Sequence, residues 1–360
     1  MFQTITIKIG SNVLAAGGGM LNEQRIAHLV DQIAQLHREG KKVILVSSGA
    51  VASGRSMVKL PPKTDTVAAR QVLSSVGQVK LLNLYTALFE KHGMTIAQVL
   101  VTKEDFRTRE HYLNMKNCLT ALLDNHILPI INENDAVSVT ALMFTDNDEL
   151  SGLIASMMDC DALFILTNVD GIYDGDPKSG NAKVIERIEN PEHDMSQYIS
   201  TTKSDFGRGG MLTKCRIAQK TASSGISVHI ANGSRDRILE TLANQPQSVL
   251  HTHFLPGEKR DAIKKWIAYS DGFTKAEVTI NEGAVDALHS HKASSLLLAG
   301  VTAIHGEFKK GDLLRILAPD GEVVGIGRAQ FDADKAHKHL GDKKYKPIIH
   351  YDYLYLYPKN

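Results

Sequence analysis

The stretch "GRGGMLTK", residues 207–214, decides which phosphate-handling fold this chain can have. A Walker A loop reads G-x-x-x-x-G-K-[ST], with the lysine directly after a glycine and a hydroxyl directly after the lysine. Here Thr213 precedes Lys214, Cys215 follows it, and Gly207, Gly209 and Gly210 are bunched ahead of both. The order excludes a P-loop. If this loop holds phosphate it does so in another fold, and the surrounding strands have to say which.

Working outward, the first 255 residues alternate short β-rich runs with longer 3.6-period segments, the pattern of βαβ crossovers and a mainly parallel sheet covered by helices. "TITIKIG" sets Ile5, Ile7 and Ile9 on one face of a strand. Asn22 is placed to cap the next helix, whose Ile26, Leu29, Val30, Ile33 and Leu36 recur at helical spacing until Gly40 ends it. The strands "KVILVSSG", "MTIAQVLV", "ILPIIN", "DALFILTN" and "SVHIAN" follow, with helices expected near 66–91, 111–125 and 147–158 between them. Beyond residue 255 the texture changes to short β runs separated by Gly turns: "AEVTINEGA", "SLLLAG", "DLLRILAP", "EVVGIGRAQF" and "YDYLYLY". This predicts an α/β domain over 1–255, a charged linker over 256–273, and a small β-barrel or sandwich over 274–360.

Totals bound the partners. A chain of 360 residues with 43% hydrophobic and 22% charged residues is long enough for two globular domains. The formal net charge of +1 supplies no global field toward nucleic acid or an anionic membrane. Cys118, Cys160 and Cys215 are far apart with no C-x-x-C spacing, which fits reduced thiols. The start "MFQTITIKIG" lacks the charged beginning and long apolar run of a signal peptide, and no run approaches 18 apolar residues, so the expected location is the cytoplasm.

Ligands of open α/β sheets gather beyond the carboxyl ends of the strands. Reading only those ends gives Lys8 and Gly10 in "KIGSN", Ser47, Ser48 and Gly49 in "SSGAVASG", Asn132, Asn134 and Asp135 in "NENDAV", Asp146, Asn147 and Asp148 in "TDNDE", and the turn cluster "TNVDGIYDGDP". Glycine-rich cradles, two separated lysines and a set of carboxylates and amides are the equipment of phosphoryl transfer, where catalysis is mostly positioning and charge stabilisation. Lys8 and Lys214 are the natural pair, with an acidic residue between them. Each element alone has a plainer reading: a solvated lysine, a turn glycine, or, for Asp146, a helix cap. Three H-x-H pairs, His251 and His253, His289 and His291, and His337 and His339, keep a metal alternative open, but no cysteine or carboxylate completes a set. A Ser-His-Asp hydrolase lacks its G-x-S-x-G elbow.

"KIGSNVL", "VSSGAVASGR", "INENDAV", "DNDELSGLIA", "LTNVDGIYDGDP" and "GRGGMLTK", in this order, resemble the amino acid kinase superfamily and, within it, the glutamate 5-kinase family; the C-terminal part resembles a PUA domain. The resemblance implies transfer of the γ-phosphoryl of ATP, carried with Mg²⁺, to the side-chain carboxylate of L-glutamate, the first step of proline biosynthesis. It implies that Lys8 and Lys214 stabilise the transferring group while Asp148 organises them. Ser48, Gly49, Asp135 and Asn147 would bind glutamate, with the Asp135 carboxylate suited to the ammonium. Lys8, Gly10, Thr167, Asn168, Arg208, Gly209, Gly210, Met211, Leu212, Thr213 and Lys214 would line the nucleotide pocket, and no metal ligand is assigned to the protein. Asn168, Arg208 and Leu212 stand where the family pattern has Asp, Thr and Ser, all on the nucleotide side. Feedback inhibition by proline and a homodimer or homotetramer are further implications. Two rivals stay open: a kinase of the same fold acting on acetylglutamate, aspartate, carbamate or uridylate, and an RNA-binding protein acting through the PUA domain. Residues 256–360 hold 16 Lys or Arg against 14 Asp or Glu, short of the concentrated basic patch that RNA binding asks for.

Overall fold

The computed structural model describes residues 2–16, 20–61, 63–137, 144, 146–175, 182–189, 211–258, 261–290 and 294–357. Two units divide the chain, Met1–Lys259 and Arg260–Asn360. In the first unit the elements run β1 (Thr4–Ile9), α1 (Ser11–Leu14), α2 (Glu23–Arg38), β2 (Lys42–Ser47), α3 (Ala50–Arg55), α4 (Thr66–Glu90), β3 (Ile96–Val101), α5 (Arg109–Asp124), β4 (Leu128–Glu133), α6 (Asn147–Met157), β5 (Ala162–Thr167), β6 (Arg187–Ile188), α7 (Met211–Ala222), β7 (Ser227–Asn232), α8 (Ile238–Asn244) and β8 (Thr252–Phe254).

The strands form one sheet in the order β3-β4-β2-β1-β5-β7-β8-β6. Pairing is parallel everywhere except between β7 and β8, as crossover helices require. Strand β1 is central because both its faces are covered. Ile5, Ile7 and Ile9 pack with the buried stripe Ile26, Leu29, Val30, Ile33 and Leu36 of α2, each contributing roughly 1.5–3 kcal/mol. Thr6 and Lys8 point the other way and are buried too. The side chain of Asn22 caps α2 by accepting from the Arg25 N–H, and Gly40 at φ 80° turns the chain out of it.

From β1 the chain goes to β2 on one side and reaches β5 on the other, so the sheet order reverses at β1 and a crevice opens beyond its carboxyl end. Helices α3 and α4 close one flank of that crevice at backbone contact. A Cβ at Gly77 would run into the carbonyl of Ala50, and one at Gly54 into the carbonyl of Leu73. Glycine at both positions is what lets the pair approach. The two- and three-residue strands β6 and β8 carry no period of their own and are not predicted from the sequence.

The second unit holds α9 (Ala262–Ala268), β9 (Ala276–Ile280), α10 (Glu282–His289), β10 (Val301–His305), β11 (Leu313–Leu317), β12 (Val323–Ala329), α11 (Ala333–Lys338) and β13 (Ile349–Leu356). Its five strands are ordered β10-β9-β11-β12-β13, with only β9 and β11 parallel. The segment expected as a linker carries α9, which packs on β12 and β13. "NEGA" opens a helix capped by Asn281 rather than continuing a strand, and "SLLLAG" is a 3-10 turn leading into β10. Strand β13, formed by the tyrosine-rich tail, lies at the sheet edge, with Tyr355 buried and Tyr353 under the Arg328 guanidinium at 3.8 Å. Among the described residues no helix is long and apolar enough to cross a membrane.

Candidate active site

At the carboxyl end of β1 three charges meet. Asp148, in the first turn of α6, has no solvent exposure, and its carboxylate pairs with the Lys8 ammonium through Oδ1 and with the Lys214 ammonium at 2.8 Å through Oδ2. The fold forces this meeting: α6 packs against β1, which carries Lys8, and against α7, whose first turn carries Lys214. Burial alone would raise the Asp148 pKa, but the two cations and their hydrogen bonds hold it well below the usual carboxylate range. Lys214 is raised in turn, because the Asp148 charge outweighs burial.

Asp146 is the N-cap of α6, and its Oδ1 accepts from the N–H groups of Asp148 and Glu149 at 2.9 and 3.2 Å. Its other oxygen, Oδ2, is buried and has no hydrogen-bond partner among the described residues. Burial and the neighbouring Asp148 charge push its pKa up to about 6 against the pull of the two lysines. The plain reading of Asp146 as a cap is therefore correct and incomplete.

Beside the triad, a chain of polar side chains crosses the sheet ends. Asn147 donates to Ser48 Oγ and to Asn132 Oδ1, both at 2.9 Å, and Asn132 donates to Gln78 Oε1 at 2.9 Å. Gly49, at φ 110°, makes the left-handed turn that starts α3 directly after Ser48. Asp135 lies one step further out, where the Arg70 guanidinium of α4 donates to it at 2.8 Å and reaches Glu133 at 3.3 Å. Glu133 in turn accepts the Phe144 N–H at 2.9 Å. Arg70, Gln78 and Glu133 are not among the sequence-predicted residues. Two of them lie inside a long helix, where a polar residue ordinarily marks a solvated face.

On the other side of β1, the Gly10 N–H donates to the Leu166 carbonyl at 3.1 Å, tying the start of α1 to the end of β5. Thr167 ends β5 with its hydroxyl donating to Asn168 at 3.3 Å, and Asp170 holds Asn232 and Arg235 at 3.1 and 2.8 Å. Met211, Leu212 and Thr213 form the half-buried first turn of α7 next to Lys214. Arg208, Gly209 and Gly210 lie outside the described residues. The structure thus gathers Lys8, Lys214 and Asp148 at one point, with Ser48 and Asn147 joined by one hydrogen bond beside them.

The Amino acid kinase family matches residues 3–232, and the PUA domain matches residues 276–351. A glutamate 5-kinase of Bacteroides thetaiotaomicron is 54% identical over 356 residues, spanning 99% of both chains. The chain belongs to the amino acid kinase family, within its glutamate 5-kinases. A second glutamate 5-kinase, from Chlorobaculum tepidum, is 50% identical over 359 residues, covering 99% of this chain and 98% of that one. Among solved structures, an isopentenyl phosphate kinase substrate complex aligns with TM-score 0.51 at 17% identity, covering 69% of this chain and 99% of its own. The carbamate kinase of Giardia lamblia bound to AMP-PNP aligns with TM-score 0.50 at 19% identity over 71% of this chain and 98% of its own. These two share the amino acid kinase fold and carry no information on the acceptor. The α/β unit and the PUA unit expected from the sequence are thus both present.

Proposed function

We propose that this chain transfers the γ-phosphoryl of ATP to the side-chain carboxylate of L-glutamate, releasing ADP and γ-glutamyl phosphate, the entry step of proline biosynthesis in the cytoplasm. The observation that carries the reading is the convergence of Lys8 and Lys214 on one buried carboxylate. Phosphoryl transfer spreads negative charge over the equatorial oxygens of the moving group, and two fixed ammoniums at its flanks stabilise that charge without reorganising. Asp148 acts as a positioning residue. Both its oxygens are spent on the lysines, so it holds them apart at a set distance and offsets one of their two charges.

Ser48 and Asn147 would receive glutamate, and Gly49 would let the backbone approach its carboxylate. Asp135 would take the ammonium, and since Asp135 already holds Arg70, that recognition is shared between a guanidinium and the incoming ammonium. The nucleotide would lie toward Gly10, Thr167, Asn168 and the loop 208–214. Mg²⁺ is expected with the nucleotide. With Asp148 fully engaged, the fitting oxygen donor at this edge is Asp146 Oδ2, which would hold the ion while it neutralises phosphate charge. Inhibition by proline and assembly into dimers or tetramers belong to the same reading.

An acceptor panel tests the substrate: L-glutamate is expected to drive ADP release, and aspartate, N-acetylglutamate, carbamate and UMP are not. A stronger response to any of the four would overturn the glutamate assignment. Asp135→Asn is expected to raise the KM for glutamate at least about tenfold with a smaller change in kcat, since a charged partner of the ground state is lost. An unchanged KM would remove Asp135 from the ammonium site.

A further inference from the structure

Three histidines gather away from the active site, at the β7–β8 end of the sheet. His229 on β7 stands opposite His253 on β8 in the antiparallel register, and His251 precedes β8 by one residue. His229 pairs with Phe164 across to β5, three residues before the carboxyl ends where Thr167 meets Asn232, so roughly 10 Å separates it from the edge that holds the reaction. One ring nitrogen from each of the three lies within 4.8 Å of the others. We propose that His229, His251 and His253 form a structural binding site for a divalent metal of the zinc class. The H-x-H pair lacked a third ligand in the sequence; the neighbouring strand supplies it.

The hydrogen bonds assign each ring a definite state. His251 Nδ1–H donates to the Val249 carbonyl at 2.9 Å, which leaves the Nε2 lone pair of His251 facing His229 Nδ1, also at 2.9 Å. Without metal, His229 Nδ1–H donates across that gap, its Nε2 accepts from the Ser227 hydroxyl at 3.0 Å, and Ser227 Oγ accepts from His253 Nε2–H at 2.8 Å. A metal replaces the proton in the His229–His251 gap. The His229 proton moves to Nε2 and donates to Ser227 Oγ, so each ring keeps one N–H and no proton is lost from the set. In the bound state each ligating ring donates its other N–H to a fixed oxygen, Val249 O or Ser227 Oγ, which is the usual outer shell of a metal-bound histidine. Burial above all, with the neighbouring rings for His229 and His253, keeps all three below the ordinary imidazole pKa and therefore neutral at pH 7, the ligating form. Tetrahedral zinc with bonds of about 2.0–2.1 Å sets its ligand nitrogens about 3.3 Å apart, so the rings, with His229 and His253 stacked at 4.1 Å, would turn out of the stack to converge on the ion.

The experiment titrates the full chain, stripped with chelator, with Zn²⁺ by calorimetry and with Co²⁺ by visible absorption, beside His253→Ala and His337→Ala/His339→Ala. His253 is the partly exposed member of the set, so its alanine variant is the one expected to fold; Ser227→Ala, which keeps all three ligands, is the second variant. The expected result is one Zn²⁺ per chain and a tetrahedral Co²⁺ spectrum. Affinity should fall at least about tenfold in His253→Ala, fall less in Ser227→Ala, and be retained in the His337/His339 pair, with a zinc-dependent rise in Tm only where affinity is retained. No saturable binding, wild-type binding in His253→Ala, or loss of binding in the His337/His339 pair would each overturn the site.

Discussion

A carboxylate without solvent exposure, as Asp148 is, stays ionised only with cations upon it, and Lys8 and Lys214 meet that need from two different elements. Removing one of them tests the catalytic half of the arrangement. Lys214→Ala is expected to lower kcat by about 10²–10³-fold with the circular dichroism of the fold retained, and near-normal turnover would end the role. Asp146 tests the electrostatic half. Its pKa, raised from 3.8 to about 6, means that the folded state binds its proton more tightly than the unfolded chain does. Stability from this group is therefore full below about pH 4 and is lost as pH rises through about 6. Asp146→Asn keeps a cap acceptor and removes the ionisation, so its urea midpoint should match the parent at pH 4 and exceed it at pH 7.5; a lower midpoint at pH 7.5 would contradict the sign. Lys8 was legible in the sequence because it lies near the end of a strand, Asp148 because it opens a helix at the sheet's carboxyl edge, and Lys214 because it follows the glycine-rich stretch 207–210. Arg70 and Gln78 were not, because a polar residue within a 25-residue helix shows nothing of the face it turns to β4.

At the scale of elements, α3 and α4 decide how Ser48 and Gly49 are held, since α3 starts where those residues end. Their contact has no spacer: the positions that touch are Gly54 and Gly77. Gly77→Ala is expected to cost about 1–3 kcal/mol in urea titrations by forcing the helices apart, and to raise the KM for glutamate as α3 shifts. Wild-type stability and KM together would show that the helices adapt without disturbing the site. The long helix was readable because twenty-five residues run without a proline, and the parallel strands because each is a compact apolar run. Strands β6 and β8, with two and three residues, have no period to read and exist through pairing with their neighbours. Helices α10 and α11, of eight and six residues, were hidden for the same reason among the short β runs.

Across the whole molecule, each of the two units has buried apolar packing of its own, the first including β1, α2 and their neighbours, the second including Val278, Ile280, Leu314, Ile316 and Ile349 of the PUA unit. The change of texture near residue 255 made the division legible, although a helix, α9, stands where a plain linker was expected. Every residue assigned to phosphoryl transfer lies in the first unit. A chain ending at residue 259 is therefore expected to fold and to keep glutamate-dependent ADP release within about tenfold of the full chain; loss of that activity in a folded product would give the PUA unit a part in the reaction. Transfer to a side-chain carboxylate gives an acyl phosphate, the product that distinguishes this reaction from phosphorylation of any other acceptor. The most direct measurement incubates the full chain with ATP, Mg²⁺ and L-glutamate in hydroxylamine and recovers the trapped product by mass. γ-Glutamyl hydroxamate formed in step with ADP, and lost in Lys214→Ala, is the predicted result. ADP without hydroxamate, or hydroxamate undiminished in that variant, would contradict it.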